Sequence, residues 1–404
     1  MLTLVYALCL SLHALVPAAA ILQPAAQPES PARQATTPSR APAETPDPTH
    51  TPARSPDWTA TIAGCERLIK EAKLPGGALI VVKGDDVLIE RYFGSYSKDT
   101  VIPIASSSKW LSAAVIMSLV DDGKLTLDTK ASDLIPAFKT DDKAQITLRQ
   151  LFSHTSGLPG NVREAERPRL TIEAAADAIA DADLLSKPGA QMRYGGASMQ
   201  VAARMAEIAG ERGWRDLFKD RIATPLTLTN TQYGRLGIGT NPQVAGGASS
   251  SLPEYTRFLR MIAAGGTLNG TKVLSKTAVD AMLADQTNNA TVAAASVARL
   301  LDYHGYGIGN WIDQKDAAGN ALINSSPGAF GFQPWVDRSR GVIGIWMIED
   351  RNRERRRVAS GFEVREAVNN ALDDAFGVPN PDPKPTTMPD AKPDAKPDES
   401  PSAK

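Results

Sequence analysis

The chain has 404 residues, with 44 basic against 45 acidic side chains, and a balance so close to neutral provides no electrostatic footprint for nucleic acid. Of its 29 prolines, nine fall in residues 21–57 and eight in residues 377–404, and neither stretch contains Phe, Tyr or Trp. Neither can therefore bury enough apolar surface to offset the entropy of ordering it, which leaves residues 58–376 as an α/β body with a second lobe, too large for a simple binding module.

Residues 1–20 carry no Asp, Glu, Lys or Arg and close on Val16-Pro17-Ala18-Ala19-Ala20, the small-residue pattern of a signal-peptide cleavage site. The expectation is an exported protein, periplasmic or secreted, with no membrane span once the signal is removed; the alternative, a retained N-terminal anchor, has an apolar run short for a bilayer. Cys9 leaves with such a signal, so Cys65 alone remains and no internal disulfide is expected. Cys65 lies on the apolar face Ile62-Cys65-Leu68-Ile69 and reads as a small core residue. Residues 21–57 read as a disordered Pro/Ala-rich linker, and 377–404, with its Lys-Pro-Asp repeats, as a solvated tail.

Ala78–Val82 and Val87–Tyr92 flank Lys83-Gly84-Asp85-Asp86, a hairpin signal. Ala- and Leu-rich helical patterns, such as Ile172–Leu185 and Met199–Ile208, dominate a helical lobe over about 106–244. Three more strands are expected near 306–311, over 329–336 and over 341–348, the last two joined by Asp337-Arg338-Ser339-Arg340. Two strands, a helical insert and three strands predict an α+β body whose antiparallel sheet is built from both chain ends, with a cleft where the lobes meet. The basic run Arg351–Arg357 reads as the solvated start of a helix carrying Phe362, Val364, Val368, Leu372 and Phe376.

Of the four histidines, His13 and His50 lie in the leader and linker, and His154 and His304 have no second His or paired Cys nearby, so metal chemistry is poorly supported and no cofactor is implied. No G-x-S-x-G elbow, Walker loop or dinucleotide-binding glycine pattern occurs. Ser-x-x-Lys occurs twice, as Ser95-Tyr96-Ser97-Lys98 and Ser106-Ser107-Ser108-Lys109. Only Ser106 opens a strong helical pattern, Trp110 to Val120, which would set Lys109 on its face at i+3 and supply unpaired N–H groups to an oxyanion. Spacing and context alone leave Ser106 as readily a plain N-cap.

The chain resembles the serine hydrolases of the class C β-lactamase type, a group that includes DD-peptidases and esterases. The resemblance runs through Ile104–Lys109, Asp121–Asp128, Ile146–Pro159 with its His154-Thr155-Ser156-Gly157, Pro188-Gly189 followed by Tyr194, and Ala245-Gly246-Gly247. It covers nearly all of residues 58–376 and implies a β-lactamase/transpeptidase-like fold, a five-stranded antiparallel sheet flanked by helices plus a helical lobe. It also implies that Ser106 is the acylated nucleophile, that Lys109 shares its proton, and that Tyr194 acts as general base and then acid. The oxyanion donors would be the N–H groups of Ser106 and Ala329, the latter on the strand lining the cleft, and His154 would be structural. Two departures stand out. The group's Y-x-N reads Tyr194-Gly195-Gly196, and its K-T-G or H-x-G reads Ser326-Pro327-Gly328. Gly196, Ser326 and Gly328 would thus line the substrate site with no amide and no cation, an uncharged hydroxyl standing in the cation's place.

These features favour a hydrolase for a small-molecule ester, small amide or lactone. A β-lactamase or D-amino-acid peptidase, gripping a carboxylate through another cation such as Arg193, is the alternative, and a non-catalytic binding or scaffold protein that kept the fold is the third reading.

Overall fold

The computed structural model describes residues 55–234, 240–293, 304–351 and 358–376. The leader, most of the linker, the tail and the basic run from 352 to 357 lie outside the described residues.

The main sheet has six antiparallel strands, one more than expected. From the N-terminal side come β1 (Gly76–Lys83) and β2 (Asp86–Gly94), joined at Gly84 in the left-handed turn conformation. Between them and the C-terminal strands lie β3 (Val101–Pro103), β4 (Gln232–Tyr233) and β5 (Ala248–Ser251), which form a separate three-stranded sheet in the order β3-β5-β4. The remaining strands of the main sheet are β6 (Trp311–Lys315), β7 (Ala321–Ser325), β8 (Gln333–Asp337) and β9 (Val342–Met347), and its order is β6-β7-β8-β9-β1-β2.

The unforeseen strand is β7, Ala-Leu-Ile-Asn-Ser. Its Asn324 is fully buried, donating to the Leu283 carbonyl and the Asn310 side chain, so a core position carries a polar residue and the apolar run that signals a strand is broken. The expected strand near 306–311 is instead a loop rich in glycine, closed by an isolated Tyr306–Trp311 bridge, and extended pairing begins only at Trp311. The run expected from Ala329 starts at Gln333, so Ala329 lies in the turn between β7 and β8 and not on a strand.

Strand β1 reads as an unbroken apolar run because both faces are covered. Leu79 and Val81 pack with Trp335 and Trp346 against Cys65 and Leu68 of α1 (Thr59–Glu71), and with Val364, Val368 and Leu372 of the C-terminal helix. Ala78, Ile80 and Val82 face the other core with Val336, Ile343 and Ile345. Burial pushes the Cys65 thiol up to about 12, as befits a packing residue. On the second face lies α5 (Leu252–Ala263), packed on β9, β1 and β8, and the same core continues through α2 (Ser108–Asp121), α3 (Ile172–Ala180) and α4 (Ala197–Gly210), of which α4 packs on both α3 and α2; the C-terminal helix is α6 (Val358–Phe376). Helix α2 is apolar all round, with nearly every residue buried, which is the signature of a central core helix.

Helix α5 starts with a built anchor. Buried Glu254 accepts hydrogen bonds from the backbone N–H groups of Thr229 (2.9 Å), Asn230 (2.9 Å) and Thr231 (2.7 Å) and from the Thr231 hydroxyl (2.6 Å). Desolvation pushes this carboxyl up, but the bonds from Thr231, Asn230 and Thr229 outweigh it and hold it below the usual carboxylate range. A depressed folded pKa contributes stability that is present above the unfolded value of about 4.3 and is lost as pH falls through the folded one. Glu254→Gln is therefore expected to destabilise the protein by about 1–3 kcal/mol at neutral pH, and the gap from wild type should close as pH falls below about 4. Urea denaturation at pH 7 and pH 3.5 reads both values; a gap unchanged between them would contradict the assignment.

Candidate active site

Ser106 does not belong to α2. It occupies a single 3-10 turn, Ala105–Ser107, immediately before the helix, and the residue ahead of it, Ala105, has φ +46°. A side chain in that left-handed region costs roughly 1 kcal/mol or more, so the surroundings must hold the turn in place. They do so through the carbonyls, each of which accepts from a hydroxyl. The Ala105 carbonyl takes Ser108 Oγ (2.6 Å), that of Ser106 takes Ser326 Oγ (3.2 Å), that of Ser107 takes Tyr255 Oη (2.8 Å) and that of Ser108 takes Tyr233 Oη (2.9 Å). The donors come from α2, the segment after β7, α5 and β4, so both sheets and two helices converge on this one turn.

From the first turn of α2, Lys109 reaches back. Its side chain is only 4% exposed, and Nζ donates to Ser106 Oγ (3.2 Å) and to the Ala245 carbonyl (2.8 Å), placing the expected Ala245-Gly246-Gly247 motif at the site. Tyr194 also arrives, but ring first: Lys109 Nζ lies 4.6 Å from the ring centroid, and the phenol oxygen makes no hydrogen bond to any described residue. The ring stacks on Trp311 (4.9 Å, 29°) and contacts His154 (4.7 Å). His154 is fully buried, with neither ring nitrogen bonded to a described residue; desolvation, then the Lys109 charge, hold its pKa well below the usual range, so it is a neutral packing ring. In contrast, the second Ser-x-x-Lys holds nothing together, since Lys98 pairs with exposed Asp99 and Ser95 bonds the Pro75 carbonyl.

The two eroded motifs are placed differently from each other. Gly196 borders the site at the start of α4, its N–H donating to Asn161 Oδ1 (3.1 Å). Asn161 is exposed and comes from the loop after the His-Thr-Ser-Gly turn; an isolated Asn beside a glycine carries no spacing signal that sequence reasoning could have caught. Ser326, by contrast, does not line the cleft as expected. It is 3% exposed, and its hydroxyl points at the Ser106 and Gly309 carbonyls. Gly328 is likewise a packing position, since a Cβ there would meet the Ile104 carbonyl at 2.2 Å and its N–H is taken by the Phe332 carbonyl. Ala329 is exposed, and among the described residues neither its N–H nor that of Ser106 has an acceptor, leaving both as donors. Arg193, next to Tyr194, reaches only Gln191 Oε1 at 3.5 Å through Nη2, and its buried Nε has no described partner. No cluster of potential metal ligands occurs among the described residues.

Comparison with known proteins gives the following matches. The profile of the family described as Beta-lactamase matches residues 62–369. Penicillin-binding protein 4 of Amycolatopsis lactamdurans is 28% identical over 248 residues, 52% of this chain and 65% of its own length; the chain thus spans less than two-thirds of that curated relative. A solved structure from Bacteroides dorei DSM 17855, with a provisional β-lactamase assignment, is 34% identical with a TM-score of 0.72, covering 78% of this chain and 98% of that one. A family VIII carboxylesterase structure has 16% identity and a TM-score of 0.63 over 80% and 99% of the two chains, a likeness of fold alone.

Adjacent glycines in the Tyr194 loop separate a packing demand from an open position. A Cβ on Gly195 would fall 1.9 Å from the Gly160 carbonyl, whereas one on Gly196 would find nothing closer than 3.5 Å, at an ordinary φ of −101°. Gly195→Ala is expected to cost about 1–3 kcal/mol through forced backbone shifts, and Gly196→Ala to stay within about 0.5 kcal/mol. Equal midpoints for the two variants in urea denaturation would contradict this packing.

Proposed function

Because the chain belongs to the Beta-lactamase family of hydrolases, we propose that it is a serine hydrolase cleaving a carboxylic ester, or a small amide or lactone, through an acyl-Ser106 intermediate. The observation that carries this reading is the 3.2 Å hydrogen bond between Lys109 Nζ and Ser106 Oγ; the N–H groups of Ser106 and Ala329 have no acceptor among the described residues.

In this mechanism the Lys109–Tyr194 pair is the proton acceptor for Ser106 Oγ. Ser106 Oγ attacks the substrate carbonyl carbon, a new C–O bond forms, and the Oγ proton passes to the Lys109–Tyr194 pair. The carbonyl electron pair moves onto oxygen, where the N–H groups of Ser106 and Ala329 hold it. Collapse of this intermediate breaks the bond to the alcohol, which leaves with a proton from the Lys109–Tyr194 pair. Water then repeats the sequence at the acyl carbon, returning the proton to Ser106 and releasing a carboxylic acid.

A neutral substrate is favoured because the position expected to carry a cation holds Ser326, and its hydroxyl is turned away onto backbone carbonyls. Nothing there offsets the cost of desolvating a substrate carboxylate. The second reading, a penicillin-recognising enzyme, draws its support from Arg193, whose buried Nε has no described partner. The proposal also takes residues 1–20 as a cleaved export leader, which N-terminal sequencing of the mature protein tests.

The decisive experiment is labelling with a fluorophosphonate. Ser106→Ala should abolish the covalent adduct and Ser95→Ala should leave it; an adduct undiminished in Ser106→Ala would sink the nucleophile assignment, and no adduct on wild type would favour the scaffold reading. Ser326→Lys should not create a carboxylate grip, because position 326 is buried and its side chain is turned onto the Ser106 and Gly309 carbonyls. The variant is expected to lose about 3 kcal/mol or more of stability, with no gain in kcat/KM for an anionic substrate over a matched neutral ester. A stable variant that gains this preference would show that position 326 does reach the substrate.

A further inference from the structure

Resting on the reading of Ser106 as nucleophile, we infer that Ser326 is a positioning residue, whose hydroxyl holds the nucleophile's backbone and makes no contact with the substrate. The two peptide planes flanking the Ser106 Cα are each clamped by a serine. Ser108 Oγ bonds the Ala105 carbonyl (2.6 Å), fixing the plane that carries the Ser106 N–H. Ser326 Oγ bonds the Ser106 carbonyl (3.2 Å), fixing the plane on the other side. With both planes held, the direction of the Ser106 Cα–Cβ bond, from which Oγ reaches Lys109, is set. The preceding Ala105, at φ +46°, gives the turn a reason to relax if either clamp is removed.

Ser326 is itself held well enough to serve. Its N–H donates to the Pro334 carbonyl (3.3 Å), and its carbonyl accepts Ser107 Oγ (2.6 Å), which ties it to the very turn it positions. Its single hydroxyl proton is shared between the Ser106 carbonyl and, at 3.4 Å, that of Gly309, so no donor is left for a substrate group. Gly309 in turn lies against α2, where a Cβ would meet the Lys109 carbonyl at 2.4 Å. One hydroxyl thereby links the end of β7 to the Ser106 backbone and to the Gly309 loop packed on α2.

A positioning role differs from a binding role in which kinetic constant it moves. With a neutral nitrophenyl ester, assayed well below the unfolding midpoints of all variants, Ser326→Ala should lower kcat about tenfold while KM stays within about twofold. The rate of phosphonylation of Ser106 should fall in parallel, and Ser326→Thr, which keeps a hydroxyl, should recover most of the loss. Ser326→Ala with wild-type kcat, a change confined to KM, or a Thr variant no better than Ala would each overturn the inference. Wild type that neither turns over esters nor reacts with the phosphonate would remove the nucleophile reading itself and this inference with it, an outcome distinct from an active wild type matched by Ser326→Ala.

Discussion

Everything at the site depends on a strained three-residue turn. Ala105 is left-handed, and the carbonyls from Ala105 to Ser108 each take a hydroxyl from a residue on another turn, helix or sheet. A turn of this kind cannot hold itself; its conformation is set by how tightly α5, β4 and the end of β7 close around it. Placing Ser106 ahead of the helix, and not within it, frees its N–H from helical bonding and lets a lysine one turn later reach back to it. Large remote regions therefore matter to the chemistry: Glu254 fixes the start of α5, and the adjacent Tyr255 is the residue that reaches Ser107.

Much of this was legible from residue patterns, because they report local demands. The β1–β2 hairpin showed as two apolar runs around a glycine turn, α2 as a continuous apolar helix, and the Ser106–Lys109 pair as a spacing with a helix behind it. The unread parts are those decided by tertiary contacts. Strand β7 carries a buried asparagine that satisfies distant carbonyls, so its polarity masked it. Tyr233 and Tyr255 are ordinary core aromatics in sequence, and only the fold aims their hydroxyls at the turn. The same holds for Tyr194, which motif spacing brings to the site but whose ring, not hydroxyl, meets Lys109.

Position 326 shows how the fold can turn a motif residue to a different contact than its place in the motif suggests. A cation replaced by a serine suggests a weaker substrate contact in the same place. Instead the shorter side chain is buried, and its hydroxyl turns inward onto the Ser106 carbonyl. Gly196 is the opposite case, for the position stays open at the site's edge, with the Asn161 carboxamide drawn against it.

The central claim is that Ser106 carries the acyl group during turnover of a neutral ester. It is tested most directly by acid-quenching the full-length wild-type protein during hydrolysis of a nitrophenyl ester and mapping the mass increment by peptide mass spectrometry. The account predicts an increment equal to the acyl group on the peptide containing Ala105-Ser106-Ser107, absent once substrate is exhausted. Steady ester turnover with the adduct on a different side chain, or rapid turnover with a measurable burst of alcohol and an unmodified Ser106, would contradict it.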